Sequence, residues 1–134
     1  MKAHLAAALG SLVLTAGTLL GAPAAVGAQT AAPHPSTPID IRLGAGSVRD
    51  TLTWYDRSPM ADGTLRAVDC NRMWFSAYGA SGNKLGTWMT STHCNVTSHF
   101  TFALPGGGPD ATASIEICLG GVNLAATCAW HNRP

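Results

Sequence analysis

Phe100, Phe102 and Leu104 alternate with His99, Thr101 and Ala103, and this period of two is the feature that most narrows what the chain can form. Successive side chains of a strand point to opposite sides, so such alternation marks a strand with one buried face. Val48, Leu52 and Trp54 oppose Arg49, Thr51 and Thr53 in the same way. Ile115 and Ile117 oppose Glu116 within Ala113 to Leu119, and a last strand is expected from about Thr127 to His131. Thr64 to Cys70 reads as a strand with Leu65, Ala67 and Asp69 opposite Arg66, Val68 and Cys70, broken or bulged at Asn71-Arg72. Met73 to Tyr78 is a dense aromatic strand, Gly79 to Asn83 a hairpin turn, and Lys84 to Thr90 the returning strand with Leu85 and Trp88. Arg57-Ser58-Pro59, Ala61-Asp62-Gly63 and Pro105 to Asp110 carry turn chemistry. About seven short strands punctuated in this way predict an all-β fold, a small antiparallel β-sandwich, with a small barrel as the alternative.

The N-terminus follows another logic. Met1-Lys2 and His4 form a short basic start, and Leu5 to Leu20 is almost wholly apolar. Ala22-Pro23-Ala24 and Val26-Gly27-Ala28 are small-residue patterns of the kind signal peptidase accepts. The apolar run is about 16 residues, short of the roughly 20 that span a bilayer. Residues 1-28 are therefore expected to be a cleaved signal peptide, with the cut after Ala28 and Ala24 or Ala32 as alternatives. Residues 29-38, rich in proline and small polar residues, are expected to be a flexible tail, and residues 39-134 the β-sandwich domain. The mature part, about 106 residues, suits one domain with a modest core.

All four cysteines, Cys70, Cys94, Cys118 and Cys128, fall in that part. No two are close enough for the usual zinc spacing, and an exported chain meets an oxidising milieu. Two disulfides are expected. A hairpin around Gly120-Gly121 would set Cys118 opposite Cys128 within bridging distance, which leaves Cys70 for Cys94 by elimination.

Charge excludes several partners. Lys2 aside, Arg42, Arg49, Arg57, Arg66, Arg72, Lys84 and Arg133 are matched by Asp40, Asp50, Asp56, Asp62, Asp69, Asp110 and Glu116. The charges are interspersed, with no basic stripe for nucleic acid or an anionic membrane surface. Scarce lysine with abundant Ala and Gly points to a GC-rich bacterial genome. His93, His99 and His131 match no ligand motif, and alternation puts His99 on an outer face. Ser91 and Ser98 lie near His93 and His99, but no Gly-x-Ser-x-Gly elbow marks an activated serine. Glu116 is the only glutamate, and the aspartates fall mostly at turns, so paired carboxylates for glycoside cleavage are not expected. No catalytic residue, metal or cofactor is assigned, and no enzyme is expected. Asn95-Val96-Thr97 fits the glycosylation pattern, incidental in a bacterial chain. Of Trp54, Trp74, Trp88 and Trp130, two or three are expected in the core. Trp88, beside Met89 near a strand end, is the candidate ligand contact, since exposed tryptophan stacks on sugar rings or anchors interfaces.

The export signal, the strand ending Val68-Asp69-Cys70, and the run from Ile115-Glu116-Ile117-Cys118-Leu119 through Cys128-Ala129-Trp130 resemble the small secreted β-sandwich proteins of actinobacteria. Many of these are uncharacterised. The resemblance covers most of the mature chain in layout, and it implies architecture and compartment but no activity. In size, export and two disulfides the chain is also similar to the secreted subtilisin-inhibitor family. That would imply a rigid loop beside a disulfide, for which Arg72-Met73 and Arg57 to Met60 are the candidates. The cysteine spacing differs from that family's, and its reactive-loop motif is not evident. The expected function is a non-catalytic binding or structural module of the extracellular space or cell envelope, its partner a cell-wall polysaccharide or another secreted protein. A secreted protease inhibitor is the alternative.

Overall fold

The computed structural model describes residues 31–106, 111–123 and 126–134. The expected leader over 1-28, the first two residues of the expected tail, and Gly107-Gly108-Pro109-Asp110 of the turn lie outside them. The described residues form seven strands and no helix: β1 Ser36–Leu43, β2 Gly46–Trp54, β3 Pro59–Tyr78, β4 Lys84–Met89, β5 His93–Ala103, β6 Ser114–Gly121 and β7 Thr127–Asn132. All pairings are antiparallel.

β3 organises the rest. Its 20 residues would span about 65 Å if straight, roughly twice the width of a compact domain of this size. It must therefore bend. Residues 59–66 pair with β2 on one side, and residues 60–71 with β5 on the other. Residues 71–78 pair with β6, and residues 74–78 with β4. One continuous sheet thus folds into two four-stranded layers that share β3. The first layer holds β1, β2, β5 and the start of β3. The second holds β4, β6, β7 and the end of β3.

The fold line is a β-bulge between Ala67 and Cys70. A bulge adds one unpaired residue and increases local bend and twist. Asp69 there has φ 62°, and Asn95 across from it has φ 48°. Short polar side chains tolerate this left-handed region because they can bond locally. The Asp69 N–H donates to Asn95 Oδ1 at 2.9 Å, and the Val68 N–H donates to Asn71 Oδ1 at 3.0 Å. Asn95, read in the sequence as part of an incidental motif, thus sits in β5 opposite the bulge and supports it. The Cys70–Cys94 disulfide closes the bend, with Cα atoms 4.0 Å apart, and Cys118–Cys128 joins β6 to β7 with Cα atoms 4.1 Å apart. Both pairings are those expected.

The core lies between the layers. Ile39, Ile41, Val48, Leu52, Trp54, Ala61 and Leu65 come from the first layer; Met73, Phe75, Ile115, Ile117 and Leu119 come from the second. Each large side chain fully buried here contributes about 1.5–3 kcal/mol. Phe75 meets Trp88, Phe100 and Phe102 edge-on, at ring-centroid distances of 6.0, 6.1 and 4.8 Å. Trp88 of β4 stacks on Phe102 of β5 at 3.7 Å, tying one layer to the other. At the far end Arg133 donates to the carbonyls of Thr112 and Tyr55, both at 2.8 Å, with its guanidinium 5.3 Å from the Trp54 ring centroid.

Three local expectations are corrected. β1 begins at Ser36, so Ser36, Thr37 and Pro38 are paired with Thr53, Leu52 and Thr51 rather than free. The Trp54 indole also donates to Thr37 Oγ1 at 3.0 Å, which holds this stretch down. Thr64 to Cys70 and Met73 to Tyr78 are one strand, because a bulge bends pairing without ending it. Ala61-Asp62-Gly63 is strand rather than turn, paired on both sides. Gly63 serves close packing: a Cβ there would run into the Arg49 carbonyl and meet Asp50 Cα at 2.7 Å.

Candidate functional site

Pairing register decides which side chains share each solvent face. On the second layer, Met89, Trp74, Cys118 and Cys128 form one cross-strand row. Thr87, Ser76, Glu116 and Trp130 form the next, and Lys84, Tyr78, Ser114 and Asn132 the third. Arg72 pairs with Gly120 at the end nearest the bend. Three aromatic side chains therefore stand on one outward face.

Trp130 is 56% exposed and Met89 53%. The Tyr78 and Trp130 rings lean together across β6, with centroids 4.9 Å apart. The Tyr78 hydroxyl donates to Glu116 Oε2 at 3.4 Å, so the one acid of this face anchors the tyrosine. Trp74 rests against β6 because residue 120 is glycine: a Cβ there would sit 2.9 Å from the indole. In the floor between Trp74 and Tyr78, buried Ser76 shares a 3.2 Å hydrogen bond with Thr87. The Arg72 guanidinium lies 5.9 Å from the Trp74 ring centroid, and the Lys84 ammonium 5.9 Å from that of Tyr78. The result is a broad apolar platform with hydroxyls in its floor and a cation at each end.

The residues singled out in the sequence fall elsewhere. Trp88 is half-buried and contributes to the core, and it lines a cavity of about 300 Å³ with Leu65, Met89, His93, Ser98 and Phe100. The Ser91 and Ser98 hydroxyls lie 3.4 and 3.2 Å from the two ring nitrogens of His93. His99 is exposed, as its alternation requires, 3.4 Å from Asp62. His131 is half-buried, and burial holds its pKa below the ordinary histidine value. The three histidines thus sit apart in role and surroundings. Among the described residues, one grouping has potential metal-ligand atoms within 4.8 Å, Glu116 with Cys118 and Cys128. Both sulfurs are spent in the disulfide. Of the loop candidates, Met73 is fully buried in paired strand, and Pro59 and Met60 open β3.

In the sequence Trp130 and Trp74 stand only among the four tryptophans, with Trp88 preferred as the contact, and Tyr78 only in the aromatic strand. A signal for Trp130 existed. Cys118 faces Cys128 across the β6–β7 hairpin, so Glu116 and Trp130, two residues from each on the same face, must also be neighbours. No such signal marked the other two, because both faces of Met73 to Tyr78 carry large side chains. Comparison with protein-family models, with curated proteins and with solved structures gives no match, so the reading of this face rests on its own geometry.

Proposed function

We propose that the chain is a secreted, non-catalytic binding module of the extracellular space or cell envelope, whose aromatic face stacks on the sugar rings of a cell-wall polysaccharide. One observation carries the reading: Trp130, Tyr78 and Trp74 share a single outward sheet face, while charged and hydroxyl side chains make up most of the other. Sugar rings present flat C–H faces that pack on aromatic rings, and their hydroxyls need nearby exposed polar groups such as Thr87 and Asn132. Two disulfides among about a hundred residues suit an oxidising compartment. A partner protein is the second reading, because Trp, Tyr and Arg are the residue types that dominate protein interfaces.

The test is retention of the purified domain on insoluble peptidoglycan and chitin, followed by intrinsic tryptophan fluorescence. Retention should fall at least tenfold in Trp130→Ala, with a melting temperature close to that of the parent. If the parent protein is retained on neither solid, or Trp130→Ala is retained equally well, the polysaccharide reading fails. Stoichiometric inhibition of subtilisin or trypsin would favour the inhibitor alternative instead.

A further inference from the structure

Resting on that reading, we infer that the polysaccharide taken by this face is anionic, its acidic groups met by Arg72 and Lys84 while its sugar rings stack on Trp74, Tyr78 and Trp130. Three observations lead there. First, the two cations are available. Among the described residues neither has a carboxylate within salt-bridge distance, whereas Arg42 and Arg49 of the other layer both pair with Asp40. Each lies near the roughly 6 Å limit of cation–π attraction to its ring, so it is held loosely and is free to turn to an oxyanion.

Second, the acid on this face is already engaged. Glu116 accepts from the Tyr78 hydroxyl and is half-buried, so it meets an approaching anion with less than an open carboxylate's repulsion. The remaining side chains of the three rows are uncharged.

Third, the spacing suits a polymer. Arg72 and Tyr78, which carries Lys84 beside it, are six positions apart on β3, about 20 Å of strand. A single small anion cannot reach both ends, while a chain with repeated acidic groups can, and its rings then cross the aromatic side chains between. Two cations are too few for nucleic acid, whose affinity comes from neutralising many successive phosphates.

The experiment compares binding of the intact secreted protein to four soluble probes by affinity electrophoresis: polygalacturonate, a phosphomannan, a neutral chitin oligosaccharide and poly(dT). At least one of the first two should bind tenfold or more tightly than the chitin oligosaccharide, and which of them does so identifies carboxylate or phosphate as the group read. That preference should vanish in 0.5 M salt, about a 4 Å Debye length, and in Arg72→Gln/Lys84→Gln. This double variant should keep the parent's melting temperature. Equal binding of neutral and acidic polymers, both lost in Trp130→Ala, overturns the charge inference and leaves the polysaccharide reading standing. Binding of none of the sugars overturns both. Tightest binding to poly(dT) overturns both in favour of nucleic acid.

Discussion

The two layers share a strand and have the same number of strands, yet they meet solvent in opposite ways. On the first layer three polar cross-strand rows, Thr51–Asp62–Thr101, Arg49–Thr64–His99 and Ser47–Arg66–Thr97, lie beside a fourth, Thr53–Met60–Ala103. This face pairs much of its own charge. Thr101 donates to Asp62 at 2.7 Å, and Arg42 and Arg49 both reach Asp40, whose carboxyl is held below its usual range chiefly by the Arg42 hydrogen bond. The second layer instead exposes a tryptophan and a methionine beside two more aromatic rings. Leaving large apolar side chains together in water forgoes the burial that stabilises a small domain, and such patches mark interaction surfaces. The difference teaches that one layer satisfies most of its exposed side chains by folding alone, whereas the other leaves an apolar face open, the one the proposed ligand would cover.

The largest expected effect concerns the bend that separates the faces. Replacing Cys70 and Cys94 by alanine opens a loop of 24 residues, and chain entropy predicts a loss of about 3.5 kcal/mol. Removing Cys118–Cys128, which closes a loop of 10, should cost about 2.7 kcal/mol on the same basis. Urea denaturation of the two variants gives the order; if the second pair proves costlier, the bend is not the more demanding element.

Next is Asp50, the one acid turned into the core, 6% exposed among apolar neighbours. Burial pushes its pKa from 3.8 up to about 7, against the lowering effect of the backbone N–H groups of Asp62 and Thr51. Its Oδ2 has no hydrogen-bond partner. The folded pKa is the higher one, so as pH rises through 4 the unfolded chain ionises first and stability falls. The fall is complete near pH 7. Asp50→Asn should flatten that fall. An unchanged slope in that variant would place the titration elsewhere.

A smaller effect separates the aromatic platform from its composition. Gly120→Ala keeps every ring but forces Trp74 away from β6, because the added Cβ would lie 2.9 Å from it. Polysaccharide retention should drop severalfold, with stability lowered by about 1 kcal/mol. Unaltered retention would show that Trp74 is not part of the surface. The smallest effect belongs to the polar face. Thr101→Ala removes the exposed hydrogen bond to Asp62 and should change stability by less than about 0.5 kcal/mol and retention not at all. A loss of retention there would undo the contrast between the layers.

Much of this architecture is legible in the chain. Val48, Leu52 and Trp54 point inward as their alternation requires, and Leu104, Ile115 and Ile117 do the same. Cys118 and Cys128 could be matched because a short hairpin leaves little choice of register. Other positions misled for identifiable reasons. Ala61-Asp62-Gly63 has turn composition, but its glycine answers to a neighbouring strand. Trp88, beside exposed Met89, looked like a surface residue; its ring is drawn inward by Phe102, fourteen positions along the chain. Asp50 sits on an apolar face, against its own solvation preference.

Side-chain alternation is a local property, and it was enough to establish strands, inward faces and the spacing of turns. The expectation of two disulfides rests instead on the export signal and the cysteine spacing. What alternation could not supply was the partner across each strand. Tyr78 and Trp130 meet only because β6 lies between them in one particular register, and Trp74 packs against β6 only because that register places Gly120 beside it. Such neighbours are chosen by long-range pairing and by the fold at the bulge, where contacts between distant segments, rather than local preference, set the lowest free energy.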